Sequence, residues 1–197
     1  MSKAPDFLRT VRNPPNPWHS VSVDWLGAPP PVEPAVLEDR SRSVLSRNDS
    51  PDLGFRWSVN PYRGCAHACS YCYARPSHMH LDLGAGTDFE RVLTVKPRAP
   101  QLLRQAFERR SWKGELVLFS GNTDCYQPLE ASYRLTQQCL QVCLDYRNPV
   151  SIITKAALIE RDVDLLAELA VQARCSVAFS IPFWDRDRAR AIEPGAP

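Results

Sequence analysis

The spacing of apolar positions changes repeatedly along this chain, and the changes mark its elements. Residues 55–59 read as a short strand, and residues 90–96 alternate and are rich in β-formers before stopping at Pro97. From 100 to 110, positions 103, 106, 107 and 110 recur at the three- and four-residue spacing of a helix face. Residues 115–120 form a compact apolar strand ended by Gly121. Leu135, Cys139, Val142, Cys143 and Tyr146 share one helix face. A strand is expected at 150–154, then a helix over 162–173 whose acidic first turn suits the helix dipole. A strand over 175–181 and a helix from 185 to 192 close the pattern, and a short helix over 73–81 completes the first unit. Strands alternating with helices predict an α/β fold with about five parallel strands joined by right-handed crossovers.

Residues 1–50 break this rhythm. Eight of the 18 prolines fall within the first 34 residues, including Pro14-Pro15 and Pro29-Pro30-Pro31. Proline removes a backbone donor and fixes φ, which excludes a regular helix or a central strand. The stretch is expected to be an extended arm, with Trp18, Val21, Val23, Trp25 and Leu26 as apolar anchors on a core domain spanning 51–197.

Length and composition narrow the function classes. A chain of 197 residues with 44% hydrophobic content is sized for one domain with a substantial core. A formal charge of +2 excludes a strong global field toward nucleic acid or membrane. The N-terminus has no apolar signal region, and no apolar run approaches membrane-spanning length, so the chain reads as cytoplasmic. Seven cysteines, an odd number in a reducing compartment, point to metal ligation or catalysis rather than a disulfide framework.

Three of those cysteines lie in one polar loop. The segment Asn60-Pro-Tyr-Arg-Gly-Cys65-Ala-His-Ala-Cys69-Ser-Tyr-Cys72-Tyr73-Ala-Arg75 spaces its thiols x3 and x2. Soft thiolates select iron–sulfur clusters, zinc or copper(I). A four-iron cluster takes four ligands, so three nearby cysteines could leave one iron open to a small molecule. On spacing alone a structural zinc site stands level with this, with His78 or His80 as its fourth ligand. Isolated core thiols are a third reading.

The triad with Tyr71 before and Tyr73 after its last cysteine resembles the signature of the radical S-adenosylmethionine superfamily. Within it, the chain is similar to the branch related to spore photoproduct lyase, often labelled DNA repair photolyase-like. Glu38-Asp-Arg-Ser-Arg-Ser43, Asn60–Arg75, Asn122-Thr-Asp124, Tyr126-Gln-Pro128 and Ile153-Thr-Lys155 carry that similarity, which runs from about Asp39 to Pro197. The resemblance implies a partial (β/α) TIM-type barrel and a 4Fe-4S cluster on Cys65, Cys69 and Cys72. It further implies S-adenosylmethionine on the fourth iron, cleaved after one-electron reduction to a 5′-deoxyadenosyl radical that abstracts hydrogen from the substrate. A ferredoxin or flavodoxin as reductant and nucleic acid as substrate class follow from the same kinship. Family chains carry further βα units beyond the Glu193-Pro194 region, so this chain is expected to expose a sheet edge, to associate with itself or a partner, and to be incomplete as a catalyst. The other function class is a metal-stabilised binding module without turnover.

Further candidates sit where strands end, the ligand-binding end of α/β sheets. Ser120, Asn122, Thr123 and Asp124 follow one strand and resemble the loop that holds the cofactor's methionyl amine; an ordinary polar turn is the plain alternative. Lys155 could meet a carboxylate or a ribose hydroxyl. Lys96 and Ser180 end other strands, and Tyr73 could pack beside the cluster against adenine. Cys125 is a candidate reactive or radical-relaying thiol, against a packed bystander. Cys139, Cys143 and Cys175 read as core thiols. Arg98, Arg104, Arg109, Arg110 and Lys113 make a basic run, by default a solvated helix face and otherwise a phosphate-contacting patch.

Overall fold

The structure, a computed structural model, describes residues 34–197, so the apolar anchors expected within residues 1–33 lie outside it. A five-stranded sheet organises the fold in the order β2-β3-β6-β7-β8. Its members are β2 (Leu45–Arg47), β3 (Trp57–Val59), β6 (Val117–Phe119), β7 (Val150–Thr154) and β8 (Cys175–Phe179). β3, β6, β7 and β8 run parallel, and β2 pairs antiparallel with β3. Every side chain of β6 is buried, as expected for a central parallel strand covered on both faces.

The remaining strands form a separate three-stranded sheet in the order β1-β5-β4. β1 (Ala35–Glu38) runs parallel to β5 (Val92–Val95), and β4 (Tyr62–Arg63) runs antiparallel to it. This corrects two expectations. The strand expected at 90–96 does not join the main sheet, because β3 pairs directly with β6 and leaves no place between them. It also begins later, since α1 (Asp88–Arg91) precedes it. Residues 35–47, expected to belong to the extended arm, supply strands to both sheets. Of the main sheet's five strands, four run parallel.

Helices α2 (Ala99–Phe107), α4 (Leu135–Asp145) and α5 (Val163–Gln172) pack in series, α2 on α4 and α4 on α5. Pro100 sits in the first turn of α2, where its missing N–H costs nothing. The main core joins Val59, Val117, Phe119, Val150 and Ile152 of the sheet to Leu103, Phe107, Cys139, Leu140, Cys143 and Leu169 of the helices. Each such side chain, fully buried, contributes about 1.5–3 kcal/mol. Cys139 and Cys143 sit here, on the buried side of α4. The helix expected over 73–81 is a 3-10 helix, Arg75–Leu81, and a second 3-10 helix, Ala157–Asp162, precedes α5. α3 (Leu129–Tyr133), which the pattern did not mark, follows the β6 loop, and α6 (Arg186–Ile192) follows β8. Among the described residues, no helix is long and apolar enough to cross a membrane.

Candidate functional site

The cysteine loop leaves β4 through Gly64 at φ +74°, a left-handed turn that also lets Phe89 and Leu93 approach. The backbone turns left-handed again at Ala68, φ 56°, between the first two cysteines. Opposite, the loop after β6 opens at Ser120 with φ 80°. Non-glycine residues in this region cost about 1–3 kcal/mol each and persist only where the surroundings hold them.

These loops and the ends of β7 and β8 enclose one cavity of about 230 Å3. It is lined by Cys65, Cys69 and Cys72, and by Tyr73, Ser120, Asn122, Thr123, Asp124, Lys155 and Ser180. The structure thus brings together the three expected ligands and every expected cofactor contact except Lys96. The cavity lies at the C-terminal ends of β6, β7 and β8, the end at which open α/β sheets bind ligands.

Several of these groups are engaged with one another. Asp124 accepts hydrogen bonds from the Tyr126 N–H at 2.9 Å, the Thr154 hydroxyl at 2.7 Å and the Lys155 N–H at 2.7 Å, tying the β6 loop to the end of β7. The Thr123 hydroxyl donates to the Gly64 carbonyl at 2.5 Å. The Tyr73 hydroxyl donates across the cavity to the Gly121 carbonyl at 2.7 Å, while its ring remains exposed. Lys155 reaches the Ser180 hydroxyl at 2.9 Å, the Tyr71 hydroxyl at 3.0 Å and the Glu193 carboxylate at 2.6 Å. Burial works against the Lys155 ammonium, but its hydrogen bonds to Glu193 and Tyr71 outweigh that and raise its pKa.

Lys96 lies outside the cavity. Its side chain is buried in the smaller sheet, 3.7 Å from Asp39, and Arg63 approaches the same carboxylate at 3.4 Å. Burial, with Arg63 nearby, pulls the Lys96 ammonium below its ordinary pKa. Cys125 also turns away: it is fully buried in the main core, and burial holds its thiol well above the ordinary pKa, against a thiolate role. Neither histidine named for the zinc alternative reaches the cavity. His78 is buried with Nε2 2.9 Å from the Val92 carbonyl, and His80 is exposed; neither lines the cavity. The loop bearing Arg109, Arg110 and Lys113 enters β6 at its N-terminal end, opposite the cavity, and Arg104 pairs with Asp145 at 2.6 Å.

Three residues that the pattern did not single out belong to the site. His67 lines the cavity between the first two cysteines, 3.5 Å from Asp124, with its buried Nδ1 lacking a hydrogen bond. Glu193 arrives from beyond α6 to meet Lys155 and the Tyr71 hydroxyl. Gln127 grips the cysteine loop from below. The position of His67 inside the motif, and of Gln127 inside Tyr126-Gln-Pro128, could have flagged two of them.

The donor set has the chemistry of a 4Fe-4S site. Cys65 and Cys69 are buried thiols, pushed up to about 11 and about 12, in both cases chiefly by burial. Such thiols stay protonated unless a cation replaces the proton, which is what metal binding does. No three His, Cys, Asp or Glu side chains among the described residues gather as a single metal ion would require. A cluster asks less of convergence, since each thiolate takes its own iron. Three soft donors lining one cavity together with polar groups fit that group.

Fold and site together define an α/β protein with a thiol-lined cavity at the ends of its parallel strands. A model of the Radical SAM superfamily matches residues 59–196, and the chain belongs to that superfamily. An uncharacterized protein of Mycobacterium tuberculosis is 43% identical over 145 residues, covering 74% of this chain and 43% of its own length. Another, from Methanocaldococcus jannaschii, is 31% identical over 162 residues, 82% of this chain and 57% of the relative. The chain therefore spans about half the length of the curated relatives it matches. Among solved structures, spore photoproduct lyase complexed with dinucleoside spore photoproduct superposes with a TM-score of 0.56 at 14% identity, over 82% of this chain and 44% of the lyase. That likeness is one of fold: the parallel-rich sheet matches part of the lyase's.

Proposed function

We propose that this chain binds a 4Fe-4S cluster through Cys65, Cys69 and Cys72 and S-adenosylmethionine in the adjoining cavity, as a radical enzyme. The observation that carries the reading is the meeting of three thiols with the polar ends of three parallel strands on one cavity. When bound, cluster and cofactor supply one-electron cleavage of the sulfonium C–S bond and a 5′-deoxyadenosyl radical. The chain's own residues bind and orient. Lys155 and Ser180 offer a cation and a hydroxyl for a carboxylate or ribose, Asn122 an exposed amide, and Tyr73 an aromatic face at the rim. Asp124 and Thr123 hold the loops in register rather than meeting the ligand, since their oxygens already serve internal hydrogen bonds.

Nucleic acid is the substrate class of this proposal. A solved structure of similar fold is complexed with a dinucleoside, and the exposed Tyr73 ring offers a face for stacking on a base. A ferredoxin or flavodoxin would deliver the electron. The free side of β8 is proposed to pair with a second copy of this chain, because four of its five residues are exposed.

Anaerobic reconstitution tests the reading. The expected product is brown, with about four irons and four sulfides per chain. Cys65→Ala, Cys69→Ala or Cys72→Ala should each abolish the colour, whereas Cys139→Ala and Cys175→Ala should leave it. S-adenosylmethionine should change the electron paramagnetic resonance signal of the reduced protein. A colourless protein with about one zinc per chain would overturn the proposal.

A further inference from the structure

The phrase Tyr126-Gln127-Pro128-Leu129-Glu130 places three polar side chains in the interior, each no more than 1% exposed. Two of them stitch the fold. Tyr126 donates to Asp162 at 3.1 Å, and Glu130 accepts from Tyr62 at 2.5 Å and pairs with Arg161 at 2.7 Å. Gln127 is different, because its partners are the peptide groups on either side of a proposed cluster ligand. Its Nε2 donates to the Gly64 carbonyl at 2.9 Å, and its Oε1 accepts from the Ala66 N–H at 3.0 Å.

We infer that Gln127 is the positioning residue for Cys65, clasping the two peptide units that flank it so that the thiolate is aimed before any cluster is present. The inference rests on the function proposed above and names a device within that site. The Cys65 N–H itself donates to the Phe89 carbonyl at 2.9 Å, so both peptide planes around its Cα are tied to other segments. The Thr123 hydroxyl bonds to the same Gly64 carbonyl and lies 3.0 Å from Gln127 Nε2, which joins the clasp to the β6 loop. The two loops meet at the same place: Cys65 and His67 of one and Asp124 of the other line one cavity. Gln127 also donates its own N–H to the Asp124 carbonyl at 3.2 Å, so one residue ties the cysteine loop to the β6 loop. A primary amide suits the task, because it offers one donor and one acceptor in a fixed plane. Partners of this kind typically change metal affinity by about 10- to 100-fold when lost.

The test uses Gln127→Met, which keeps the shape without polarity, and Gln127→Glu, which keeps the acceptor for Ala66 and loses the donor. Amide hydrogen exchange over residues 64–69 of the iron-free protein reads the clasp directly. Release of iron to a chelator from the reconstituted protein reads its purpose, and the melting temperature of the iron-free protein reads fold integrity. The expected result is protection of Ala66 in the wild type and Gln127→Glu but not in Gln127→Met. Iron release should be faster by roughly 10-fold or more in Gln127→Met, with Gln127→Glu between it and the wild type. If Gln127→Met does not fold, the same comparison is made between Gln127→Glu and the wild type. Wild-type iron retention in a folded variant overturns the positioning role, as does a loss of iron that merely follows the fall in melting temperature. An unprotected Ala66 in the wild type removes the clasp itself. A wild type that takes up no iron overturns the proposed function instead, while the exchange result still decides the clasp.

Discussion

Gly64 shows how much rests on one residue without a side chain. A Cβ there would stand 2.7 Å from the Phe89 carbonyl oxygen and 2.8 Å from a Leu93 methyl, in a backbone conformation already unfavourable for other residues. Gly64→Ala is therefore expected to destabilise the iron-free protein by about 2–3 kcal/mol, measured by urea denaturation. Ala68 presents the opposite case. It holds φ 56° in the same loop with a Cβ, so Ala68→Gly should relieve strain and stabilise by up to about 1 kcal/mol. A destabilised Ala68→Gly would show that chain entropy outweighs the strain.

The short 3-10 helix Arg75–Leu81 carries a buried histidine whose ring makes one hydrogen bond. His78 bonds to the Val92 carbonyl, packs edge-on against Phe89 at 5.0 Å between ring centres, and leaves Nδ1 without a partner. Burial lowers its pKa below the usual 6.5, with Arg63 and Arg75 acting in the same direction and the Val92 bond and Asp88 against. His67 is lowered as well, again chiefly by burial, and against the opposing charge of Asp124. A histidine lowered on folding binds its proton more readily in the unfolded chain. Stability is therefore full above about pH 6.5 and is lost as the pH falls below it. The iron-free protein should melt at lower temperature at about pH 5.5 than at pH 7, and His78→Gln should shrink that difference. An unchanged difference would assign the acid sensitivity elsewhere.

At the scale of the whole molecule, the side of β8 that pairs with no other described strand dominates. Cys175–Phe179 continues into Ser180 and Ile181 with its large apolar residues at alternate positions, and Val177, Phe179 and Ile181 on that face are exposed. Trp184, just beyond, is 96% exposed. Strand edges of this kind pair with other chains unless charge or proline blocks them. The isolated protein is expected to self-associate as concentration rises, by light scattering after size exclusion. Phe179→Lys or Val177→Lys should weaken that by roughly tenfold, equivalent to about 1.4 kcal/mol. A wild type that stays monomeric at high concentration would remove β8 as an interface.

What the sequence determined by itself is local. The alternation of strands and helices from residue 115 onward, the buried face of α4 and the grouping of three thiols between aromatic residues all follow from spacings within a few residues of one another. Pairing was the work of the tertiary structure. Whether β5 entered the main sheet depended on β3 finding β6, and with that decided Lys96 went into an ion pair in the smaller sheet rather than to the cavity. Cys125 stands next to Asp124 in the chain, yet the turn after β6 sends one side chain to the cavity and the other to the core. Gln127 meets Gly64 across 63 residues, Lys155 meets Tyr71 across 84, and Glu193 meets Tyr71 across 122. No period or motif spacing encodes such contacts; they exist because strand ends from distant parts of the chain are brought to one side of a sheet.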